Sequence, residues 1–201
     1  MVQVLSRERL GVAKPPRRGL AHWLTLDPLA AAELVRRDVV GTGVCLPMVW
    51  FCSGLVIPVV TWNLDVLAGR LDAGRGPMLY RSVLADRLEH GRDHLEPAVL
   101  RMDAFIAVTP LDAARGVLAA ASAYAPAIAA VPTSPGADGW DVFECDFYGL
   151  TVTEVDQTGA RTVVAGLRRP KHPAGGVSHQ RRLMEEQLFD VALSTGTAPT
   201  M

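Results

Sequence analysis

From Val39 to Leu64 the chain carries no charged residue, whereas on both sides apolar positions recur among charges at helical or strand spacing. The silent tract is long enough to raise the question of a membrane span. As a helix it would measure about 39 Å, more than the roughly 30 Å of a bilayer's apolar layer. Its residues argue otherwise. Pro47, Gly54 and Pro58 are costly inside a helix, and Trp50 falls near the middle, away from the interfacial depth that suits an indole. Flanking charge gives no orientation, since Arg36 and Arg37 on one side face Arg70 and Arg75 on the other. Enrichment in Val, Ile, Trp and Phe, broken at Ser53 and Gly54, predicts two buried strands, Val44 to Phe51 and Leu55 to Trp62. Pro47 and Pro58 then require strand starts, an edge or a bulge.

Before this tract, "LDPLAAAELVRRDVV" predicts a helix, with Asp27 as cap, Pro28 at the first helical position and Gly41 and Gly43 as the stop. After it, Asn63 can cap a short helix over "LDVLAGRL", and "PMLYRSVLADRLEH" gives another, with Pro77 early and Leu79, Val83, Leu84 and Leu88 as one apolar stripe. "VLRMDAFIAV" is read as a strand that runs into a helix at "TPLD", where Thr109 is the expected cap and Asp112 completes a capping box. Pro126 ends or kinks that helix, and "VPTSPGADG" reads as loop.

In "WDVFECDFYGLTVTEVD", Phe143, Cys145 and Phe147 share one parity, while Leu150 and Val152 take the other. A strand bulged at Gly149 accounts for the switch. With "DQTGA" as turn and "RTVVAGL" as partner, the pattern predicts a β-hairpin over Trp140 to Leu167. Ser178 can then cap a last helix, with Leu183, Leu188, Phe189 and Leu193 as its buried side.

These elements give an α+β fold: a mixed or antiparallel sheet with a C-terminal β-hairpin, covered by several helices. The 201 residues divide into a flexible N-terminal arm (1–19), a single α+β domain (20–193) and a C-terminal tail (194–201). A chain of this size buries roughly 70% of its unfolded surface. Net charge is −1, so nothing pulls the molecule as a whole toward nucleic acid or anionic lipid. Three cysteines, an odd number, and an opening without a basic head and apolar run indicate a reducing, cytoplasmic setting. Lysine occurs only at Lys14 and Lys171 amid abundant Arg, Ala, Val and Gly, a bias that suits a GC-rich bacterial genome.

Candidate chemistry is sparse. If one helix ran through "LADRLEHGRDHLE", Asp86, His90 and His94 would share a face and could hold a divalent metal, although Gly91 interrupts that helix. The bland alternative is a solvated helix end whose histidines meet the C-terminal partial negative charge. Glu144 and Asp146 point the same way on a strand, with Glu154 further along, as paired carboxylates or as the wet face of a sheet. Cys45, Cys52 and Cys145 have no neighbouring histidine in sequence and read as inert thiols. Neither a nucleophile elbow nor a phosphate loop occurs, and no motif names a cofactor. Basic clusters at "PPRRG", "RRPKH" and "HQRR" suit a solubilising surface or contacts to phosphate or a partner's carboxylates.

The function expected is a cytoplasmic bacterial binding or assembly protein, acting through self-association or a protein partner, since the mean hydropathy of +0.20 exceeds what solubility needs. The alternative is a small-molecule enzyme or ligand carrier. Its apolar pocket would be lined by Trp50, Phe51 and Trp62, with the Asp86, His90 and His94 metal site beside it. A membrane protein is the third reading, and nucleic acid is not a favoured partner.

Overall fold

The computed structural model describes residues 10–12, 26–52, 54–89, 96–133, 139–166 and 179–200. In chain order the elements are β1 (Gly11–Val12), α1 (Pro28–Val35) continued by one π-helical turn (Arg36–Val40), β2 (Val44–Cys45), β3 (Val49–Phe51) and β4 (Gly54–Trp62). There follow α2 (Leu64–Asp72), α3 (Arg81–Glu89), β5 (Leu100–Ala107), α4 (Leu111–Ala121), β6 (Ala127–Pro132), α5 (Gly139–Phe147), β7 (Thr151–Val155), β8 (Ala160–Val164) and α6 (His179–Thr195). The strands make one mixed sheet in the order β1-β3-β4-β5-β6-β7-β8, with β2 also pairing β4. β5, β6 and β7 run parallel, and the other pairings are antiparallel.

The charge-free tract forms β2, β3 and β4, and no helix among the described residues is long and apolar enough to cross a membrane. Its prolines sit where the ladder tolerates them. Pro58 accepts from the Leu46 amide at 2.8 Å on its β2–β3 flank. Amide and carbonyl of one residue point the same way in an antiparallel strand, so the donor that Pro58 lacks faces the break at Leu46, Pro47 and Met48 and costs no bond to β5. On the β5 side the register shifts between Val59 and Val60, leaving Asp103 as the extra residue of a bulge.

Two apolar layers flank the sheet. On one face Ala31, Ala32 and Val35 of α1 cover Ile57, Val59, Ala104, Ile106 and Ile128. On the other, α2, α4, α5 and α6 pack through Leu67, Val117, Leu118, Cys145, Leu188 and Phe189 onto Val56, Val60, Met102 and Phe105. α4 and α5, the crossovers of the parallel units, lie on the same face, as crossovers of one hand must when successive strands step in one direction.

Several expectations need correction. Trp140–Phe147 is a helix, so the hairpin expected over Trp140 to Leu167 is not formed. What exists is the shorter antiparallel pair β7–β8, whose register shifts between Val152 and Thr153 and not at Gly149, and α6 follows it. β6, read as helix end and loop, is a buried strand. Thr109 caps nothing: Pro110 holds the N-cap position of α4 without a side-chain bond, and Thr109 Oγ1 is buried without a partner. α3 starts at Arg81, and of its expected stripe Leu84 is buried while Val83 is exposed. Asp27 does cap α1, accepting from Leu29 at 2.9 Å, and Asn63 caps α2 through the Val66 amide.

Candidate functional site

The end of α5 explains its orientation. Leu150 donates its amide to the Cys145 carbonyl at 2.9 Å and Gly149 donates to Asp146 at 2.9 Å, with Gly149 at φ 67°. This is the Schellman stop, in which a left-handed glycine lets the chain turn back on the last helical turn. Its usual apolar clasp is present, since Cys145 and Leu150 are both fully buried. Val142 joins them against the core. Arg115 of α4 fastens the neighbouring flank, pairing with Glu144 and, at 3.9 Å, with Asp141.

With Cys145 turned inward, the i, i+3, i+7 positions face outward. Trp140, Phe143, Phe147 and the adjoining Tyr148 are 64%, 58%, 76% and 53% exposed. They stand as two aromatic pairs, Trp140 on Phe143 at 5.6 Å between ring centroids and Phe147 edge-on to Tyr148 at 5.5 Å. At about 200 Å² per ring side chain, these fractions leave roughly 500 Å² of aromatic surface in one patch, at the upper end of what a monomer ordinarily displays. Three carboxylates, Asp141, Glu144 and Asp146, border it, and α5 contributes no base. Sequence reading missed the site because a strand puts Phe143, Cys145 and Phe147 on one face, whereas a helix turns about 200° between residues two apart. The signal was the Trp140, Phe143, Phe147 spacing.

The expected site residues do not converge. Trp50 is exposed on β3, its indole donating to the Cys52 carbonyl at 3.1 Å. Phe51 is core, against Phe105 and Tyr124. Trp62 is half-buried, edge-on to Phe189. Phe51 pairs with Gly54 at the start of β4, and Trp62 is at its end, so about 26 Å of strand separates them and they line no common pocket. A groove among the described residues lies between Met48, Leu55, Ile57, Ile106, Val108 and Thr109, with no interior room for a water-sized sphere. Asp86 is exposed on α3, while His90 and His94 lie outside the described residues. Among the described residues no three His, Cys, Asp or Glu side chains are grouped to hold a metal.

Glu144 and Asp146 do not point together, since Glu144 turns to Arg115 and Asp146 to solvent. Glu154 pairs across the β7–β8 ladder with Arg161 at 2.7 Å. "PPRRG" and "RRPKH" fall outside the described residues. In "HQRR" Arg182 is buried and not a surface contact, pairing with Glu186 at 2.7 Å. That pair belongs to an ionic cluster with Arg70, Glu96 and Glu185, which the hydrophobic pattern did not foretell. Glu186 accepts from Arg70, Arg182 and the Met78 amide, so its lone pairs are committed to holding α2, α6 and the 76–78 segment together.

Cys45 is half-buried, Cys52 exposed and Cys145 buried. Burial, reinforced by the Glu33 carboxylate, pushes Cys45 up to about 12, and burial also raises Cys145. Neither is an activated nucleophile. No protein family matches the sequence, and neither curated proteins nor solved structures show significant similarity to it.

Proposed function

We propose that the protein is a binding or assembly module that holds another polypeptide, a partner or a second copy, against the aromatic face of α5. The observation that carries this reading is the exposure of Phe143 and Phe147 on one side of a helix whose other side is anchored by Cys145 and Leu150. Aromatic side chains supply large contact area at small entropic cost and dominate the energetics of protein contacts. A rigid helix, pinned to α4 through Arg115, presents them without reorganisation.

The test is Phe143→Ser combined with Phe147→Ser, with helical content and thermal midpoint checked first. Light scattering and co-purification should give wild type a mass above its own 21.6 kDa, from a copy or a retained polypeptide, and the double variant that mass alone. A wild type that is a bare monomer at every concentration, or a variant with unchanged associations, overturns the reading.

A further inference from the structure

We infer that the occupant of the α5 face is a short basic amphipathic segment, apolar side chains at helical spacing flanked by arginine or lysine. This rests on the reading of α5 as a contact surface and adds its chemistry. Charge complementarity is the first argument. Around the helix, the arc from Phe143 through Phe147 to Trp140 is bounded by Glu144 on one side and Asp146 on the other, with Asp141 beyond Glu144, each residue advancing about 100°. Among the described residues, three carboxylates, Asp141, Glu144 and Asp146, against one guanidinium, Arg115, leave two negative charges in excess. An apolar strip with acidic borders selects a strip with basic ones, chiefly through encounter rate and rejection of like charge. Exposed ring faces add attraction for a guanidinium or ammonium.

Area is the second argument. Roughly 500 Å² of aromatic surface falls short of the about 800 Å² per partner that a stable globular interface covers. It suits a peptide-sized occupant laid along the helix. A second copy of α5 would set acidic borders against acidic borders. Anionic lipid meets the same repulsion, although the rings alone would suit a headgroup layer.

The experiment uses two fluorescein-labelled peptides of about 14 residues with leucines at identical helical positions, one otherwise Lys and Arg, the other Glu and Gln. Anisotropy is read against the full chain, Asp146→Lys, and Phe143→Ser with Phe147→Ser. The basic peptide should bind at least about ten-fold tighter than the acidic one and weaken with salt. Asp146→Lys should weaken it several-fold, and the double phenylalanine variant should lose it. Equal or tighter binding of the acidic peptide, or basic-peptide binding that survives loss of both phenylalanines, overturns the inference. So does phenylalanine-dependent binding to phosphatidylcholine and phosphatidylglycerol vesicles without binding of the basic peptide, or a wild-type dimer that the double variant splits. If neither peptide binds while the double variant still changes the protein's own associations, the contact reading stands and the basic occupant falls. A double variant that changes nothing removes both.

Discussion

Arg70 and Glu186, on helices far apart in sequence, meet as a two-pronged pair, Nη1 to Oε1 at 2.8 Å and Nη2 to Oε2 at 3.0 Å, with side chains 3% and 2% exposed. The Arg70 guanidinium also lies over the Phe189 ring, 5.1 Å from its centroid. A pair this deep gains little over well-packed apolar residues, but breaking it strands a charge. Glu186→Ala takes the closest carboxylate from both Arg70 and Arg182, leaving them the longer contacts to Glu96 at 3.7 Å and to Glu185 at 3.8 Å. It should therefore cost about 3–5 kcal/mol of stability in urea unfolding with unchanged slope, and Glu186→Gln, which keeps an acceptor, should cost less. A loss under about 1 kcal/mol for the alanine variant would mean that the cluster is hydrated and not structural.

Why this cluster escaped the sequence reading, while other features did not, follows from the range of the forces involved. Asp27 and Asn63 bond to amides two or three residues away, so a local word is enough to read them. Gly41, at φ 78°, ends the first helical run for an equally local reason. Arg182, Glu185 and Glu186 look like the wet side of α6, and partners distant in sequence, Arg70 of α2 on Glu186 and the Pro97 carbonyl on Arg182, help make their burial tolerable. α5 failed for a different cause. Its Trp, Phe and Tyr residues favour strands by propensity, and the odd-numbered parity of Phe143, Cys145 and Phe147 imitated one, while the Gly149 and Leu150 clasp marked a helix end. β6 was hidden because "AIAAVP" continues an alanine-rich helix in composition, and only pairing with β5 and β7 distinguishes it.

Gly43 makes a sharper local prediction. It has φ 75°, and a Cβ there would lie 2.7 Å from both Asp103 Oδ2 and the Val60 carbonyl oxygen. Asp103 is fixed in place by Arg101 at 2.9 Å and by Thr61. Gly43→Ala therefore meets both backbone strain and a clash and should cost about 1–3 kcal/mol or more. Gly41→Ala, equally left-handed but with open space around it, should cost only the strain. Equal thermal shifts in the two variants would contradict the close approach.

The thiols should separate by reactivity. Cys52 is exposed at the β3–β4 turn, whereas Cys45 is raised from 9.0 to about 12, which lowers its thiolate fraction about a thousandfold. Iodoacetamide at pH 8 should modify Cys52 first, and Cys45 and Cys145 only once urea unfolds the chain. Peptide mass mapping of the native reaction decides the matter, and comparable native labelling of Cys45 would show that its burial beside Glu33 is wrong.

Acid stability should carry two contributions of opposite sign. The Arg37 guanidinium, 2.6 Å away, and the Ala160 amide, at 2.9 Å, hold the Asp38 carboxyl at about 2, below the usual 3.8. Folding favours its ionised form, so the stability it supplies is complete above 3.8 and is lost as pH falls through about 2. Glu185 is the reverse case. Burial raises its carboxyl above 4.5, and Arg182 and Arg181 offset this only in part, with Glu186 adding repulsion. Folding favours its protonated form, so that contribution is full below 4.5 and disappears as pH rises through the raised folded value. Asp38→Asn should therefore lower the urea midpoint at pH 7 and converge on wild type as pH approaches 2. Glu185→Gln, which mimics the protonated acid, should raise the midpoint at pH 7 and converge below 4.5. Should Glu185→Gln instead destabilise at pH 7, its arginine partners outweigh burial, and the α6 carboxylate is held by charge rather than merely tolerated.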